Sequence, residues 1–169
     1  MLRIGPSGNS DIFFRTGRKH TYEAPAWLQE IGLNAFEYSF GRGNFMGDAT
    51  AEKIRVEAAA HAVEISAHAP YFTNFANEDP AMIEKSFRWT SNTILAVKKM
   101  GGERAVVHPG ACGKDERSDA FRRLLDNLER LARYLDDSGF ADYKVCLETL
   151  GKKRQLGTVE EVLAMCKLH

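Results

Sequence analysis

Residues 65–71 read ISAHAPY, a short apolar run that ends at His68 and is followed by a proline. Proline cannot donate a hydrogen bond to a sheet ladder, so this pattern is typical of a buried strand that ends at the histidine. Two later runs have the same form, AVVHPG at residues 105–110 and KVCLE at residues 144–148. His68, His108 and Glu148 therefore each stand at the end of a predicted strand, at equal intervals of 40 residues.

The rest of the chain alternates strands and helices around these runs. Residues 2–4 and 34–40 are predicted strands, the second from its alternating aromatic residues. Residues 11–20 carry no decisive pattern. Five helices are predicted between and after the strands, at residues 24–31, 51–62, 80 up to Gly101, about 115 through 135, and 159 to about 166. Thr158 and Glu161 form a predicted capping box for the last of them.

Five strand–helix pairs in strict alternation predict a parallel sheet. An open doubly wound sheet would suit 169 residues, whereas a TIM (β/α)8 barrel usually needs about 250. In an open sheet, functional residues gather between two strands, whereas here three consecutive strands each end in a ligand-type residue, as on the C-terminal face of a barrel. We therefore predict an α/β protein of the TIM barrel type, an N-terminal portion of about five βα units. Residues 1–169 are expected to form a single, partial barrel domain.

The composition is that of a soluble globular protein, with 44% hydrophobic and 27% charged residues. Its 23 basic and 23 acidic residues give no net charge, so a global electrostatic signal for nucleic acid or membrane is absent. No apolar run approaches the roughly 18 residues of a membrane helix, and the N-terminus lacks a signal-peptide pattern. Three widely spaced cysteines indicate reduced thiols. We expect a cytoplasmic protein with no membrane partner.

His68, His108 and Glu148 form a candidate set of metal ligands. Zinc and its relatives accept neutral imidazole and carboxylate groups, and catalytic sites keep a position open for water. Any one of the three residues, taken alone, would more often be structural. Three of them at equal spacing, each at a strand end, favour a metal site, in which the metal would lower the pKa of its bound water.

Further polar residues could line the mouth of this site. Tyr71 and Asn74 follow the first histidine and either contact substrate or serve the structure, Tyr71 by packing over the rim and Asn74 by shaping a turn. Arg42 and the basic stretch at residues 15–20 could line a phosphate-binding edge, although most such runs are solvated surface. The basic run at residues 152–154 follows Glu148 on a loop of the same face and could meet an anion.

Three of these motifs resemble those of the endonuclease IV family of metal-dependent apurinic/apyrimidinic endonucleases. They are SAHAPY at residues 66–71, VHPG at 107–110, and LET at 147–149 with the later QLG at 155–157. Members of that family are (β/α)8 barrels that hold three zinc ions and cut the phosphodiester bond 5′ to an abasic site.

The resemblance implies a role for each matched residue and a DNA partner. His68 and His108 would ligate one zinc, and Glu148, the expected catalytic residue, would bridge it to a second. Tyr71 would lie on a loop that enters the minor groove beside a flipped-out nucleotide. Asn74 and Arg42 are further expected contacts to substrate, from their positions in the sequence rather than from the resemblance. The implied partner is DNA with an abasic site.

Departures from the family pattern keep two alternatives open. Residues 4–8 read IGPSG without the histidine of the family's usual first strand, and TLGK follows Glu148 where the family usually has Asn-Thr-Ala-Gly. The family's remaining ligands lie on strands six to eight, so one partial zinc site is expected here. The alternatives are a sugar isomerase or epimerase of the wider xylose isomerase-like barrels, or a non-catalytic half-barrel that self-associates through exposed sheet edges.

Overall fold

The computed structural model describes residues 2–41, 43 and 45–168. At its centre is a parallel four-stranded sheet with the strands in chain order. Its strands are β1 (Ala35–Ser39), β2 (Glu64–His68), β3 (Arg104–Val107) and β5 (Lys144–Leu147). A second, antiparallel sheet pairs β4 (Gly110–Ala111) with β6 (Gln155–Leu156).

Helices follow the strands as the alternation predicts, and the parallel α/β arrangement is confirmed. They are α1 (Asp11–Arg15), α2 (Ala24–Glu30), α3 (Asp48–Ala60), α4 (Pro80–Lys99), α5 (Arg117–Asp137) and α6 (Val159–Met165), with a 3-10 turn at Thr21–Glu23 before α2. The caps explain several of these bounds. Asp79 accepts a hydrogen bond from the Ala81 amide ahead of α4, and Thr158 and Glu161 form the predicted capping box of α6.

The predicted first strand, residues 2–4, is wrong in its position. Residues 4–8 instead run parallel to β1, where the Glu37 amide donates to the Pro6 carbonyl at 3.0 Å and the Gly8 amide donates to the Glu37 carbonyl at 2.9 Å. Pro6 has no N–H to donate, so the ladder is incomplete and contains only one regular bridge, between Ser7 and Glu37. The sheet edge therefore lies later in the chain than the apolar residues indicated.

The helix α1 and the β4–β6 sheet were not predicted. The helix is short, and it is held by the Ser10 side chain, which accepts from the Phe13 amide, and by complete burial of Phe13. The strands of the small sheet have two residues each, which is too short for a periodic pattern. This sheet joins the segment after His108 to the segment after Glu148, so it bears directly on the site.

The sheet separates an apolar face from a polar one. Ile65 and Ala67 on β2 are buried against the helices, and the pleat turns Glu64, Ser66 and His68 to the opposite face. The apolar face packs against inner stripes of α4 and α5, which include Ile83, Phe87, Leu124, Leu128 and Leu131. The polar face corresponds to the interior of a barrel, and the ligand-type residues lie at its upper end.

Candidate metal centre

Three adjacent parallel strands carry the three predicted ligands to one edge of the sheet. His68 is the last residue of β2, and His108 and Glu148 directly follow β3 and β5. The register pairs Val107 with Leu147, so the last two ligands leave the sheet at the same level. One ligand atom from each of the three side chains lies within 4.8 Å of the others.

Glu148 stands between the two histidines. Its Oε2 atom is 2.9 Å from the Nε2 atom of His68 and 2.9 Å from the Nε2 atom of His108. The two imidazole rings are 5.1 Å apart and nearly perpendicular, at 88°. The ring nitrogens and the carboxylate thus point toward one common volume.

The protonation of His68 follows from its second ring nitrogen. Nδ1 lies 2.6 Å from the carbonyl oxygen of Ala69, and because a carbonyl can only accept, Nδ1 carries the proton. A neutral His68 then presents the lone pair of Nε2 to the Glu148 carboxylate. Two acceptors 2.9 Å apart need a proton or a metal cation between them. An imidazole oriented by a backbone carbonyl is the arrangement that metal-ligating histidines adopt, so the residues fit a divalent metal.

Burial lowers the pKa of His108 below its ordinary value, and the neighbouring His68 lowers it further. Glu148 and a hydrogen bond to the backbone of Tyr71 raise the pKa without cancelling that effect. Lowering the pKa favours the neutral ring, and a neutral imidazole is the form that ligates a metal. The electrostatics of His108 therefore agree with the donor geometry.

Tyr71 lies over both histidines. Its ring centroid is 5.0 Å from that of His68 and 5.4 Å from that of His108, yet 52% of the residue is exposed. Tyr71 thus packs on the rim, as one of its two interpretations required, and still presents an aromatic surface at the mouth of the site. A contact with substrate stays a prediction.

Asn74 shapes the backbone beside the site. Its Oδ1 accepts from the amides of Ala76 at 3.0 Å and Ala111 at 3.2 Å, so it joins the loop after β2 to the start of β4. This is the turn-shaping role, and a contact with substrate stays a prediction. Arg42, the third predicted contact to substrate, lies outside the described residues.

Thr73 is a supporting residue that the sequence reasoning missed. It is 3% exposed, and its hydroxyl donates to the carbonyl oxygen of His108 at 3.0 Å. Beside it, the Phe75 amide donates to the Pro109 carbonyl at 2.9 Å. The loop that follows one candidate ligand therefore holds the backbone of the next.

The two longest helices, α4 and α5, have 20 and 21 residues, and both carry many charged side chains. Across residues 2–41, 43 and 45–168, no helix is both long and apolar enough to cross a membrane.

Sequence comparison places the chain among known barrels. Residues 25–169 match a family described as xylose isomerase-like TIM barrel. An uncharacterised protein of Methanocaldococcus jannaschii is 29% identical over 147 residues, which cover 86% of this chain and 52% of that protein. A probable endonuclease 4 of Acholeplasma laidlawii is 29% identical over 100 residues, which cover 58% of this chain and 33% of that protein.

Structural comparison agrees on the fold. The crystal structure of a D-psicose 3-epimerase, determined in the presence of D-fructose, matches with a TM-score of 0.71 at 17% identity, over 89% of this chain and 54% of the epimerase. At this identity the likeness shows the fold alone. The predicted TIM barrel is confirmed over the open doubly wound sheet, and the chain spans about half the length of the Methanocaldococcus jannaschii protein and of the epimerase.

Proposed function

The chain belongs to the xylose isomerase-like TIM barrel family, and on this premise we propose that it is part of a metal-dependent hydrolase of the endonuclease IV type. Its substrate would be DNA with an abasic site, cut at the phosphodiester bond 5′ to the lesion. The observation that carries the proposal is the convergence of two imidazoles and one carboxylate within 4.8 Å. The sequence likeness to a probable endonuclease 4 supports DNA as the substrate.

The residues of the proposed site have three roles: they hold the metal, orient its ligands and transfer a proton. Zinc held by His68, His108 and Glu148 would supply Lewis-acid stabilisation of negative charge and would lower the pKa of water. The Ala69 carbonyl orients His68 through Nδ1, and the Thr73 hydroxyl holds the backbone at His108. Glu148 is the catalytic residue of the proposal, because its side chain stays 39% exposed and its carboxylate can accept a proton at the open side.

Tyr71 supplies one wall of the proposed site. Its ring shields the two imidazoles from solvent on one side, and its exposed surface can stack on a base or on the deoxyribose of an extruded nucleotide. Asn74 and Arg42 remain the other proposed contacts to substrate. Within the part of the chain that the structure describes, His68, His108 and Glu148 would form one partial site of the three-zinc centre that the resemblance implies.

A sugar isomerase or epimerase is the second candidate, and a polar cluster beside the histidines favours it. The Ser7 hydroxyl donates to Glu37 Oε1 at 2.6 Å and lies 2.9 Å from the Ser39 hydroxyl. Ser39 is paired with His68 in the sheet register, so these hydroxyls border the metal centre. A wall of hydroxyl and carboxylate groups suits a polyol, which is the substrate class of the epimerase with the same fold.

Calorimetric titration with zinc tests the metal centre within this chain. We expect one site in the parent chain and none in His108→Ala. The matched control is His61→Ala, because His61 is also partly buried and hydrogen-bonded, at 2.7 Å to Gln29, but lies after α3 at the other end of the sheet. Equal zinc binding in the parent chain and in His108→Ala would exclude the assignment.

The reaction is tested in a chain extended through three further strand–helix units, by two assays in parallel. A gel assay on an oligonucleotide with one abasic site should show zinc-dependent incision 5′ to the site, and Glu148→Gln should abolish it. The interconversion of D-psicose and D-fructose should stay at background. Ketose epimerisation without incision would replace the first proposal by the second.

The cellular setting is part of the proposal. Cys112 is buried, Cys146 is partly buried and Cys166 is exposed, and all three are free thiols. Free thiols suit a reducing compartment, so a cytoplasmic location stays our prediction. Thiol titration of protein purified without reductant, before and after denaturation, should count three reactive groups in the unfolded chain.

A further inference from the structure

Three lysines stand on the loops that follow β3 and β5, and the metal centre does not use them. We name Lys114, Lys152 and Lys153 the lysine ridge. All three are exposed. Lys114 follows His108 by six residues and Lys152 follows Glu148 by four, so the ridge stands at the same end of the sheet as the candidate ligands.

The two loops of the ridge are joined into one unit. The β4–β6 pair sets Ala111 opposite Gln155, and beyond it the Cys112 amide donates to the Arg154 carbonyl at 2.9 Å. The Arg154 guanidinium then donates to the carbonyl oxygens of Gly113 at 2.6 Å and Asp115 at 2.9 Å. Arg154 therefore serves as a structural clamp, and it holds the turn of Lys114 against the turn of the other two lysines.

Three carboxylates near the ridge in sequence pair with arginines. Asp115 pairs with Arg123, and Glu161 pairs with Arg117 at 2.7 Å. Asp119 lies 3.6 Å from Arg122. Glu116 and Glu160 are also exposed, and the ion pairs found in the described part of the chain include neither. Among the ion pairs found in the described part of the chain, none includes a ridge lysine. In a chain with no net charge, the ridge is thus a local concentration of positive charge beside the candidate site.

We infer that the lysine ridge binds the phosphate backbone of duplex DNA and so sets the position of the strand relative to the metal centre. This inference rests on the proposed function and adds the surface that holds the substrate. Lysine contacts phosphates as a mobile point charge, which positions a duplex without reading its sequence. The clamped loops keep the three stems together, and their exposed tips can follow the backbone. A neutral sugar carries no charge for these lysines to contact, so the ridge favours an anionic substrate over a sugar.

Salt dependence gives the test, because each neutralised phosphate contributes about 0.9 to the slope of log K against log salt for duplex DNA. Fluorescence anisotropy of a labelled duplex would be measured in EDTA over a salt series. The variant carries K114Q, K152Q and K153Q together. The matched control carries K98Q, K144Q and K167Q, three exposed lysines near the end of α4, at the start of β5 and after α6, all at the opposite end of the sheet.

We expect the ridge variant to lower the slope by about two to three and to weaken binding at low salt at least roughly tenfold, while the control keeps the parent slope. Thermal unfolding curves of both variants should match the parent curve. The inference is overturned if the two variants weaken binding equally, or if neither changes the slope.

The outcome is separable from that of the proposed function. Binding is measured without metal, so it does not depend on the metal centre. If DNA binding depends on the ridge lysines but the extended chain does not cut abasic DNA, the proposed nuclease activity is rejected and DNA binding by the lysine ridge is supported. If the ridge substitutions leave incision unchanged, the ridge is rejected as the surface that positions DNA, and the proposed nuclease activity is supported.

Discussion

His68 has one ring nitrogen left for a ligand, because the Ala69 carbonyl occupies the other. Its Nε2 and that of His108 each lie 2.9 Å from the same oxygen of Glu148, so a proton or a metal cation would be shared among these three groups. A proton or a metal ion between these groups therefore stabilises the centre. That competition makes the affinity of any metal depend on pH.

Glu148→Gln tests whether the Glu148 carboxylate is a metal ligand. The substitution keeps the shape of the side chain and removes the charge that a divalent metal needs. We expect the zinc affinity to fall by more than the roughly 10- to 100-fold that follows from loss of a supporting hydrogen bond. Calorimetric titration measures it, with Glu116→Gln as the matched control of an exposed glutamate after β3. Affinity unchanged in Glu148→Gln would remove the carboxylate from the ligand set.

Thr73→Val tests a positioning residue. Valine fills the same volume but leaves the His108 carbonyl without its donor, and an unsatisfied buried carbonyl costs about 1 to 3 kcal/mol. We expect a lower free energy of unfolding and also a zinc affinity about tenfold lower, because the backbone at His108 can shift. Thr73→Ser restores the hydroxyl and should restore both. A loss of stability with zinc affinity unchanged would make Thr73 merely structural.

The ligands were predictable at this scale and their supports were not. His68, His108 and Glu148 are visible in sequence because each ends an apolar run, and parallel strands bring such ends together. The bond from Thr73 joins residues 35 positions apart, and no local pattern specifies its partner. For Asn74, the local turn was one of the two predicted roles, but its bond to the Ala111 amide, 37 residues away, was not predictable.

At the scale of elements, Glu161 joins α5 to α6. It caps α6, accepts from the Gly157 amide at 2.7 Å and pairs with Arg117 of α5 at 2.7 Å. Burial raises the pKa of Glu161, but the hydrogen bonds from Arg117, Gly157 and Thr158 outweigh burial and hold the pKa below its ordinary value. A carboxyl with a lowered folded-state pKa stabilises the protein above its unfolded pKa, and this contribution is lost as the pH falls through the folded value.

Glu161→Gln should therefore destabilise the chain in a pH-dependent way. At pH 7 we expect a loss of about 1 to 2 kcal/mol, in the lower part of the range for charged hydrogen bonds because Arg117 is partly exposed. The difference from the parent chain should shrink as the pH falls below about 4.5. Urea unfolding at a series of pH values measures it, and a difference that stays constant with pH would contradict the electrostatic explanation.

Elements with a strong local signal were predicted to within a few residues. The strands β3 and β5 end directly before His108 and Glu148, as predicted, and the capping box of α6 is present. The β4–β6 sheet and the segment at residues 4–8 were missed because each is held by contacts with distant parts of the chain. The helix α1 was missed because five residues are too few for a clear helical pattern. The β4–β6 sheet matters most, because it joins the two loops that carry the lysine ridge.

At the scale of the molecule, the fold alone does not choose the reaction. A D-psicose 3-epimerase shares the barrel at 17% identity, while a probable endonuclease 4 shares more sequence over a shorter stretch. The choice between nuclease and epimerase depends on side chains near the metal centre. The exposed lysines on the neighbouring loops favour a DNA substrate, whereas the serine hydroxyls beside His68 favour a sugar. That residues 1–169 form a single, partial domain stays a prediction.

The outer edges of the sheet lead to the last prediction. Within the described sheet, β5 has a strand on one side only, and beside it an apolar cavity of about 350 Å³ opens between α5, β5 and α6. Its walls include Leu135, Phe140, Val145, Leu147 and Met165. Unpaired strand edges and open apolar surfaces drive association.

We therefore expect the 169-residue chain to self-associate and to show no measurable incision of abasic DNA, because two-metal phosphodiester cleavage needs ligands beyond the three residues found here. Light scattering after size exclusion should give a mass above that of one chain, whereas a chain extended through three further strand–helix units should be monomeric and active. A monomeric and active 169-residue chain would contradict both expectations, since a complete catalytic site would then lie within these residues.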